Sequence, residues 1–332
     1  MTNTYLMKKL TAEFEYKLVP ALCSWSDLLG FGSLVSQNNW SPNEEQWRKI
    51  AKRLRDAQAF GIQSVGPREY MFVSNDGFIR NIDLSRELGH IQILSLWLRG
   101  IVWYHISVNS NEKANNSPGT RTVIAGGNRL LHNWDKFTQA DLFYDFEGRD
   151  MGPQSTYARA NAIPIMENPL PLQMNTAFSK AYILDDGGTK AGLPGNRLYI
   201  EKTAIDMINH LAQIYSEHCG KPIWEERKNG FFYAIPYPDN SAYQLGFELS
   251  QPIDFDHRGL KTIVYEARKF YIYDMDDKDD YFDLYMNHVF FFTPEDFRKS
   301  FPELKTNVKF PVQPKLGGYH VEFMETDNLE ND

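Results

Sequence analysis

The stretch EYKLVPALCSWSDLLGFG, residues 15–32, decides the fold. Residues 15–26 end in a short apolar run before Asp27, a pattern typical of a buried strand that meets a loop. The loop continues through Gly30, Phe31 and Gly32. Because a glycine loop that leads into a helix presents backbone N–H groups, it can bind phosphate. We therefore expect a carboxylate at the end of a strand and a phosphate-binding loop directly after it.

A helix and a β-hairpin follow this loop. Ser41-Pro42-Asn43-Glu44 is a capping signal, and it predicts a helix over about 42–59 with Trp47 on its apolar face. Residues 69–83 then carry apolar and aromatic runs around Ser74-Asn75-Asp76-Gly77. Asp-Gly between such runs is a strong hairpin signal, so we place Asp76 in a hairpin turn.

Further helices and strands predict an α/β (α+β) fold. They are a helix over 86–108, a core strand over 121–126, a helix over 174–184, a strand over 197–200 and a helix over 202–217. Residues 131–171 show no clean period and are expected to form an excursion from the core. From about residue 220 short aromatic strands alternate with turns. We therefore predict one domain over 1–218 and a β-rich C-terminal appendage over 219–332.

The composition excludes several classes of protein. The chain has 332 residues, with 35 basic and 43 acidic side chains and a net charge of −8. Such an acidic chain is not expected to bind duplex nucleic acid, since neutralising phosphates requires a basic surface. No signal-peptide run or membrane span is expected, so we predict a cytoplasmic protein. Cys23 and Cys219 are too few for a disulfide framework or a structural zinc site, and we interpret both as small buried hydrophobes.

Asp27 and Asp76 are the candidate metal ligands. If the first strand and the hairpin are neighbours in one sheet, both carboxylates emerge at the same edge. Two such groups can hold a pair of Mg²⁺ ions. The alternative interpretation is that Asp76 is an ordinary turn residue and that Asp27 caps a loop or helix.

The order of these elements resembles the class III nucleotidyl cyclase domain. Asp-x-x-Gly-Phe follows the first strand, and a helix and a hairpin with a second Asp come next. Arg121 to Gly126 (RTVIAG) is similar to the arginine-containing strand of that family, and Asn175-Thr176-Ala177 with Ala181 is similar to its Asn-x-Ala helix. The hairpin segment 72–77 is most similar to that of bacterial antiphage pyrimidine cyclases of the Pycsar type. The resemblance covers about residues 15–215.

The resemblance implies a ferredoxin-like cyclase core with an antiparallel hairpin and flanking helices. It implies a homodimer that uses Mg²⁺ or Mn²⁺ to convert a nucleoside triphosphate into a 3′,5′-cyclic mononucleotide and pyrophosphate, in antiphage signalling. The residues that it assigns are Asp27 and Asp76 for metal, Gly30, Phe31 and Gly32 for phosphate, and Asn175, Lys180 and Arg121 for catalysis.

One departure from the family leaves an alternative function open. The arginine that the family has four positions after Asn175 falls on Ser179, and Lys180 is the next residue. A shift by one residue would keep a cation, but lysine is a point charge whereas arginine is a planar fork. The alternative is a catalytically degenerate cyclase-like module that binds a nucleotide and signals to a partner. For Arg121, a surface ion pair is the alternative to a phosphate contact.

Overall fold

A computed structural model gives the fold and describes residues 16–64, 69–84, 90–132, 169–219, 224–227, 230–236, 242–271 and 282–283. The helices are α1 (Phe31–Ser36), α2 (Glu44–Gln63), α3 (His90–Ala114), α4 (Thr176–Gly187) and α5 (Lys202–Cys219). The strands are β1 (Tyr16–Leu28), β2 (Tyr70–Ser74), β3 (Gly77–Asp83), β4 (Thr120–His132), β5 (Leu198–Glu201), β6 (Trp224–Arg227), β7 (Gly230–Pro236), β8 (Ala242–Leu249), β9 (Ile253–His257), β10 (Leu260–Tyr271) and β11 (Phe282–Asp283). None of the helices in these ranges is long and apolar enough to cross a membrane.

The first four strands form the centre of the fold. β1 pairs antiparallel with β3 on one side and with β4 on the other, and β2 pairs with β3 as a hairpin. The strand order β2-β3-β1-β4, with helices before β2 and before β4, is a ferredoxin-like arrangement. The predicted α/β core with an antiparallel hairpin and flanking helices is therefore confirmed.

The strands after residue 219 continue the same sheet. β5 pairs parallel with β4, and β10 pairs antiparallel with β5. β8, β7 and β6 follow β10 in order. The segment is rich in strands, as expected, but Val264, Ala267 and Phe270 are fully buried in the core. The domain boundary near residue 218 stays a prediction. The local sequence pattern of these strands does not reveal that one of them, β10, pairs with β5.

The two faces of the sheet are covered by different helices. Along β1, Leu22 belongs to the apolar cluster of α3 and α5, whereas Ala21 and Cys23 belong to that of α4. This alternation is the period of a strand buried on both faces. Cys23 is buried as expected, and burial raises the pKa of its thiol. The side chain of Cys219 lies outside the described residues.

Two adjacent glycines in β4 determine how closely α4 and α5 approach the sheet. A Cβ atom at Gly126 would lie 2.7 Å from the backbone nitrogen of Ala204 in α5. A Cβ atom at Gly127 would lie 2.5 Å from the backbone nitrogen of Ala177 in α4. Since such distances are sterically excluded, the starts of both helices rest against β4 only because these residues lack side chains.

The start of α2 differs from the prediction by two residues. Asn43 is the N-cap, its Oδ1 accepts from the Gln46 N–H at 2.9 Å, and the Gln46 side chain accepts from the Asn43 N–H at 2.7 Å. This capping box makes Glu44 the first helical residue. Trp47, expected on the apolar face, is 50% exposed. Most of the predicted excursion, 133–168, lies outside the described residues.

Candidate active site

Asp27 and Asp76 lie at the same end of the sheet. The register of β1 and β3 pairs Asp27 with Gly77, and the Leu28 N–H donates to the carbonyl oxygen of Asp76 at 3.4 Å. β1 continues through Leu28, so Asp27 belongs to the strand and not to the loop. Asn75 donates to the Asp76 carboxylate at 2.9 Å, and within the described ranges neither carboxylate forms an ion pair. The structure thus brings two carboxylates, neither with an ion-pair partner among the described residues, to adjacent strand ends.

The pKa values reflect this crowding. The pKa of Asp27 is raised from 3.8 to about 8: burial is the largest cause, the charges of Asp185 and Asp76 add to it, and Arg121 and Arg53 oppose the rise only in part. Burial also raises the pKa of Asp76. A bound proton or a nearby cation would therefore stabilise each of these carboxylates in the folded protein.

Asp185, in the last turn of α4, is a third carboxylate of this site, and it was not predicted from the sequence. Arg121 donates through Nε to its Oδ1 at 2.8 Å and through Nη2 to its backbone oxygen at 2.7 Å. Burial raises the pKa of Asp185, although Arg121 opposes the rise. A signal was present in the sequence, since two successive aspartates at the C-terminal end of a helix oppose the helix dipole.

Arg121 lies directly opposite Asp27 in the β1–β4 register. Its side chain is buried in the ion pair with Asp185, so the pair is not the surface interaction considered as an alternative. A Cβ atom at Gly188 would lie 2.8 Å from Nη1 of Arg121, so this glycine leaves room for the guanidinium. A role of Arg121 in phosphate binding stays a prediction.

The glycine turn follows Asp27 immediately. Gly30 has a φ of 70° and precedes the short helix α1, and the Leu29 N–H donates to the Gly119 carbonyl at 2.9 Å. Phe31 is 5% exposed and packs with Leu28 in a third apolar cluster. Gly32 is exposed, and a Cβ atom there would meet open space. The turn is therefore anchored by Phe31 and has an open backbone at Gly32.

A buried ion pair supports this turn from behind. Arg53 of α2 donates through Nε to the Glu112 carboxylate of α3 at 2.9 Å and through Nη2 to the Leu29 carbonyl at 2.9 Å. Glu112 also accepts from the Gly119 N–H at 3.3 Å. The ion pair is therefore hydrogen-bonded to the backbone of Leu29, directly before Gly30, and to that of Gly119, which itself pairs with Leu29.

Asn175 lies far from this end of the sheet. It forms an isolated bridge with Arg129, which pairs with Val19, eight residues before Asp27. Its side-chain amide, however, lies 2.7 Å from that of Asn81, which pairs with Cys23, four residues or roughly 13 Å along β1 from Asp27. Its Oδ1 accepts from the Phe178 N–H at 3.1 Å as the N-cap of α4, and its Nδ2 donates to the Pro171 carbonyl at 2.9 Å. Asn175 thus has a structural role, and its role towards a sugar stays a prediction.

Lys180 lies on another side of α4. Its Nζ is 3.2 Å from the Glu201 carboxylate and donates to the Thr203 hydroxyl at 3.0 Å. Burial alone would raise the pKa of the fully buried Glu201, but hydrogen bonds from Thr262 and the charge of Lys180 bring it below its ordinary value. The structure thus brings together Asp27, Asp76, Arg121 and the glycine turn, and it leaves Asn175 and Lys180 elsewhere in the same chain.

Comparisons with known proteins identify solved structures of similar fold. One is the adenylyl cyclase CyaB from P. aeruginosa, with 8% identity, 76% of this chain and 95% of that chain covered, and a TM-score of 0.37. Another is the guanylyl cyclase Cya2, with 9% identity, 76% and 93% covered, and a TM-score of 0.38. A bacterial light-regulated adenylyl cyclase has 12% identity, 79% and 56% covered, and a TM-score of 0.35.

No protein-family model matches the chain, and no curated protein matches its sequence. The three solved structures named above are adenylyl or guanylyl cyclases. With TM-scores below 0.5 they carry no argument about activity, so a functional assignment has to rest on the residues themselves.

Proposed function

We propose that the protein is a metal-dependent nucleotidyl cyclase, which converts a nucleoside triphosphate into a 3′,5′-cyclic mononucleotide and pyrophosphate. The observation that carries the proposal is the convergence of Asp27 and Asp76 at one sheet end, next to the open glycine turn. An antiphage role is a further proposal, and its support is the similarity of the hairpin sequence to that of the Pycsar cyclases.

The two carboxylates fit a divalent cation. Mg²⁺ is commonly held by one or two carboxylates together with substrate phosphates and water, so a larger protein cage is not needed. No group of three or more His, Cys, Asp or Glu side chains with metal-binding geometry occurs in the described part of the chain. When bound, Mg²⁺ or Mn²⁺ would neutralise the triphosphate and lower the pKa of the attacking hydroxyl.

The chain's own groups would bind and orient the nucleotide. Backbone N–H groups of Gly30, Phe31 and Gly32 would contact the phosphates at the open turn, and Asp27 and Asp76 would fix the position of the α-phosphate through the cation. The ribose 3′-oxygen forms a bond to the α-phosphorus, the bond to the β-phosphate oxygen breaks, and the hydroxyl proton leaves to solvent. Pyrophosphate is the leaving group.

A homodimer would be needed if Asn175 and Lys180 also act on this nucleotide. The side-chain amide of Asn175 contacts Asn81 and Lys180 contacts Glu201, and among the described residues neither side chain contacts Asp27 inside one chain. In a twofold dimer, one end of the sheet can face the other end in the partner copy. We therefore propose that any contribution of Asn175 or Lys180 to catalysis comes from a second copy.

A second candidate function is nucleotide binding without turnover. It is favoured by one specific observation, namely that the polar groups assigned to catalysis already have internal partners. Asn175 caps α4, Lys180 pairs with Glu201, and Arg121 pairs with Asp185. The two carboxylates, by contrast, have no cationic partner among the described residues.

Incubation with each of the four nucleoside triphosphates and Mn²⁺, followed by mass spectrometry, tests the proposal. We expect a cyclic mononucleotide from the wild type, and none from Asp27→Asn or Asp76→Asn. Asp56→Asn is the matched control, because it removes a carboxylate from a pair with Lys52 on α2 and should leave the product unchanged. A folded wild type that binds the nucleotide but releases neither cyclic product nor pyrophosphate would instead establish the degenerate module.

A further inference from the structure

An aromatic cluster lies beside the carboxylates, on the face of the sheet that α4 covers. We define it as Trp25 of β1 and Phe178 and Tyr182 of α4. The ring centroids of Trp25 and Tyr182 are 5.3 Å apart in an edge-to-face arrangement, and those of Trp25 and Phe178 are 6.0 Å apart. Tyr182 is 43% exposed although its neighbours in the cluster are partly buried. The cluster therefore presents an aromatic surface to solvent.

Two independent connections place this cluster next to the proposed metal site. On β1, Trp25 precedes Asp27 by two residues and shares its face, a spacing of about 6.6 Å. On α4, Tyr182 and Asp185 are three residues apart and therefore lie on one helix face. Trp25 is thus the nearest residue to Asp27 on the same face of β1, and Tyr182 lies one helical turn before Asp185 on α4.

The indole of Trp25 also contacts the hairpin that carries Asp76. A Cβ atom at Gly77 would lie 2.9 Å from Cζ2 of Trp25, so the ring lies directly against this glycine. Because Gly77 follows Asp76 immediately, the position of the ring is tied to the position of the second carboxylate. Trp25 thus connects β1, the hairpin that carries Asp76 and α4 by direct contacts.

We propose that Tyr182, supported by Trp25, is the stacking surface for the nucleobase of the bound nucleotide. The inference rests on the proposed function, since it requires the triphosphate to lie at Asp27, Asp76 and the glycine turn. A nucleotide joins a flat aromatic base to a polyanion. The site offers the matching pair of features, an exposed ring beside carboxylates that hold a cation.

Stacking of this kind favours ligands that carry a base over ligands that do not, but it does not distinguish between bases. Every base has an aromatic face, so a stacking surface accepts purines and pyrimidines with similar affinity. Alanine substitution of a stacking residue weakens binding by about 5-fold to 150-fold, from 1–3 kcal/mol per base. A phosphate compound without a base should not respond to the substitution.

Calorimetric titrations of the full chain with two probes in the presence of Mn²⁺ test the inference. The first probe is a 3′-deoxynucleoside triphosphate, which lacks the attacking hydroxyl and therefore stays intact, and the second is inorganic tripolyphosphate. We expect Tyr182→Ala to weaken binding of the nucleotide by at least about fivefold and to leave binding of tripolyphosphate unchanged. Tyr182→Phe, which keeps the ring, should bind both probes as the wild type does.

The control variant is Trp47→Ala, which removes another exposed aromatic ring, on α2, and should change neither affinity. If Tyr182→Ala binds both probes as the wild type does, the stacking assignment is wrong while the proposed function stands. The stacking assignment is equally wrong if Tyr182→Ala weakens the binding of both probes to the same extent. It is also wrong if sedimentation shows that a wild-type dimer has become a monomer in Tyr182→Ala and that this change accounts for the weaker binding. If the wild type binds neither probe, the proposed function fails and the inference fails with it.

Discussion

Asp27→Asn should stabilise the metal-free protein at neutral pH. The pKa of Asp27 is raised from 3.8 to about 8 in the folded state, with burial as the main cause. A folded-state pKa above the unfolded value means that the folded protein holds the proton more tightly. The free energy of unfolding contributed by this group is therefore highest below pH 4 and falls as the pH rises from about 4 to about 8.

The magnitude follows from the pKa difference. Each pH unit between the two values costs about 1.4 kcal/mol, so the loss of stability at pH 7 is about 4 kcal/mol. Asparagine has nearly the same shape and no charge, and the substitution should remove this cost. For a chain of this size a gain of that order raises Tm by roughly 6 °C. At pH 4 the variant and the wild type should melt together.

Thermal unfolding, monitored by tryptophan fluorescence in EDTA at several pH values from 4 to 8, measures the difference. The gap between Asp27→Asn and the wild type should widen with each pH unit. Asp56→Asn, which removes a carboxylate already paired with Lys52, should melt no higher than the wild type at any of these pH values.

The same experiment with Mn²⁺ connects the stability to the proposed site. A divalent cation that binds the folded state should raise the Tm of the wild type and leave that of Asp27→Asn unchanged. The reasoning is refuted if Asp27→Asn melts at or below the wild type throughout this pH range in EDTA. In that case the Asp27 carboxylate is already compensated within the fold.

Two further predictions concern the glycine turn. Gly32→Ala should leave Tm unchanged or slightly higher, because the added methyl group meets open space, yet it should weaken nucleotide binding in calorimetric titration if a phosphate contacts that backbone. Gly30→Ala is the comparison for stability, and it should lower the free energy of unfolding by about 1 kcal/mol because φ at Gly30 is 70°. If Gly32→Ala and the wild type bind the nucleotide with equal affinity, a phosphate contact at Gly32 is contradicted. Arg53→Met should cost about 3–5 kcal/mol of unfolding free energy because it leaves the Glu112 carboxylate buried without its cationic partner. The double variant Arg53→Met/Glu112→Met should recover most of that loss in denaturant unfolding, and a double variant as unstable as the single one would show that the ion pair is not the source.

Local signals were sufficient to predict the elements that carry the two carboxylates. The apolar run before Asp27 and the Asp-Gly hairpin signal around Asp76 each depend on a few consecutive residues. Their proximity followed from the assumption that a strand and a nearby hairpin are neighbours in one sheet, and the β1–β3 register has this geometry.

The contributions of α4 could not be predicted in the same way. Asp185 and Tyr182 reach the site because α4 lies close against β4, and that approach depends on Gly127, some fifty residues before the start of α4. A pair of glycines in a strand does not reveal which helix rests against it. The neighbours of β10 were unpredictable for a similar reason, since strand pairing between distant segments leaves no local pattern.

Asn175 shows how a resemblance and a structural requirement can select the same residue. Asparagine is among the preferred N-cap residues because its side-chain oxygen accepts from the helix N–H groups, and Asn175 makes that hydrogen bond to Phe178. The sequence Asn-Thr-Ala at the start of a helix is therefore expected whether or not a sugar is ever bound. For Asp27 the described residues offer no comparable structural reason, because burying its carboxylate raises its pKa and costs stability. A buried carboxylate that destabilises the free protein is a stronger argument for a ligand than a polar residue that stabilises it. The proposed binding of a cation and a triphosphate thus rests on the position of Asp27 and Asp76, whereas the proposed roles of Asn175 and Lys180 in turnover fall on side chains that already have partners within the fold.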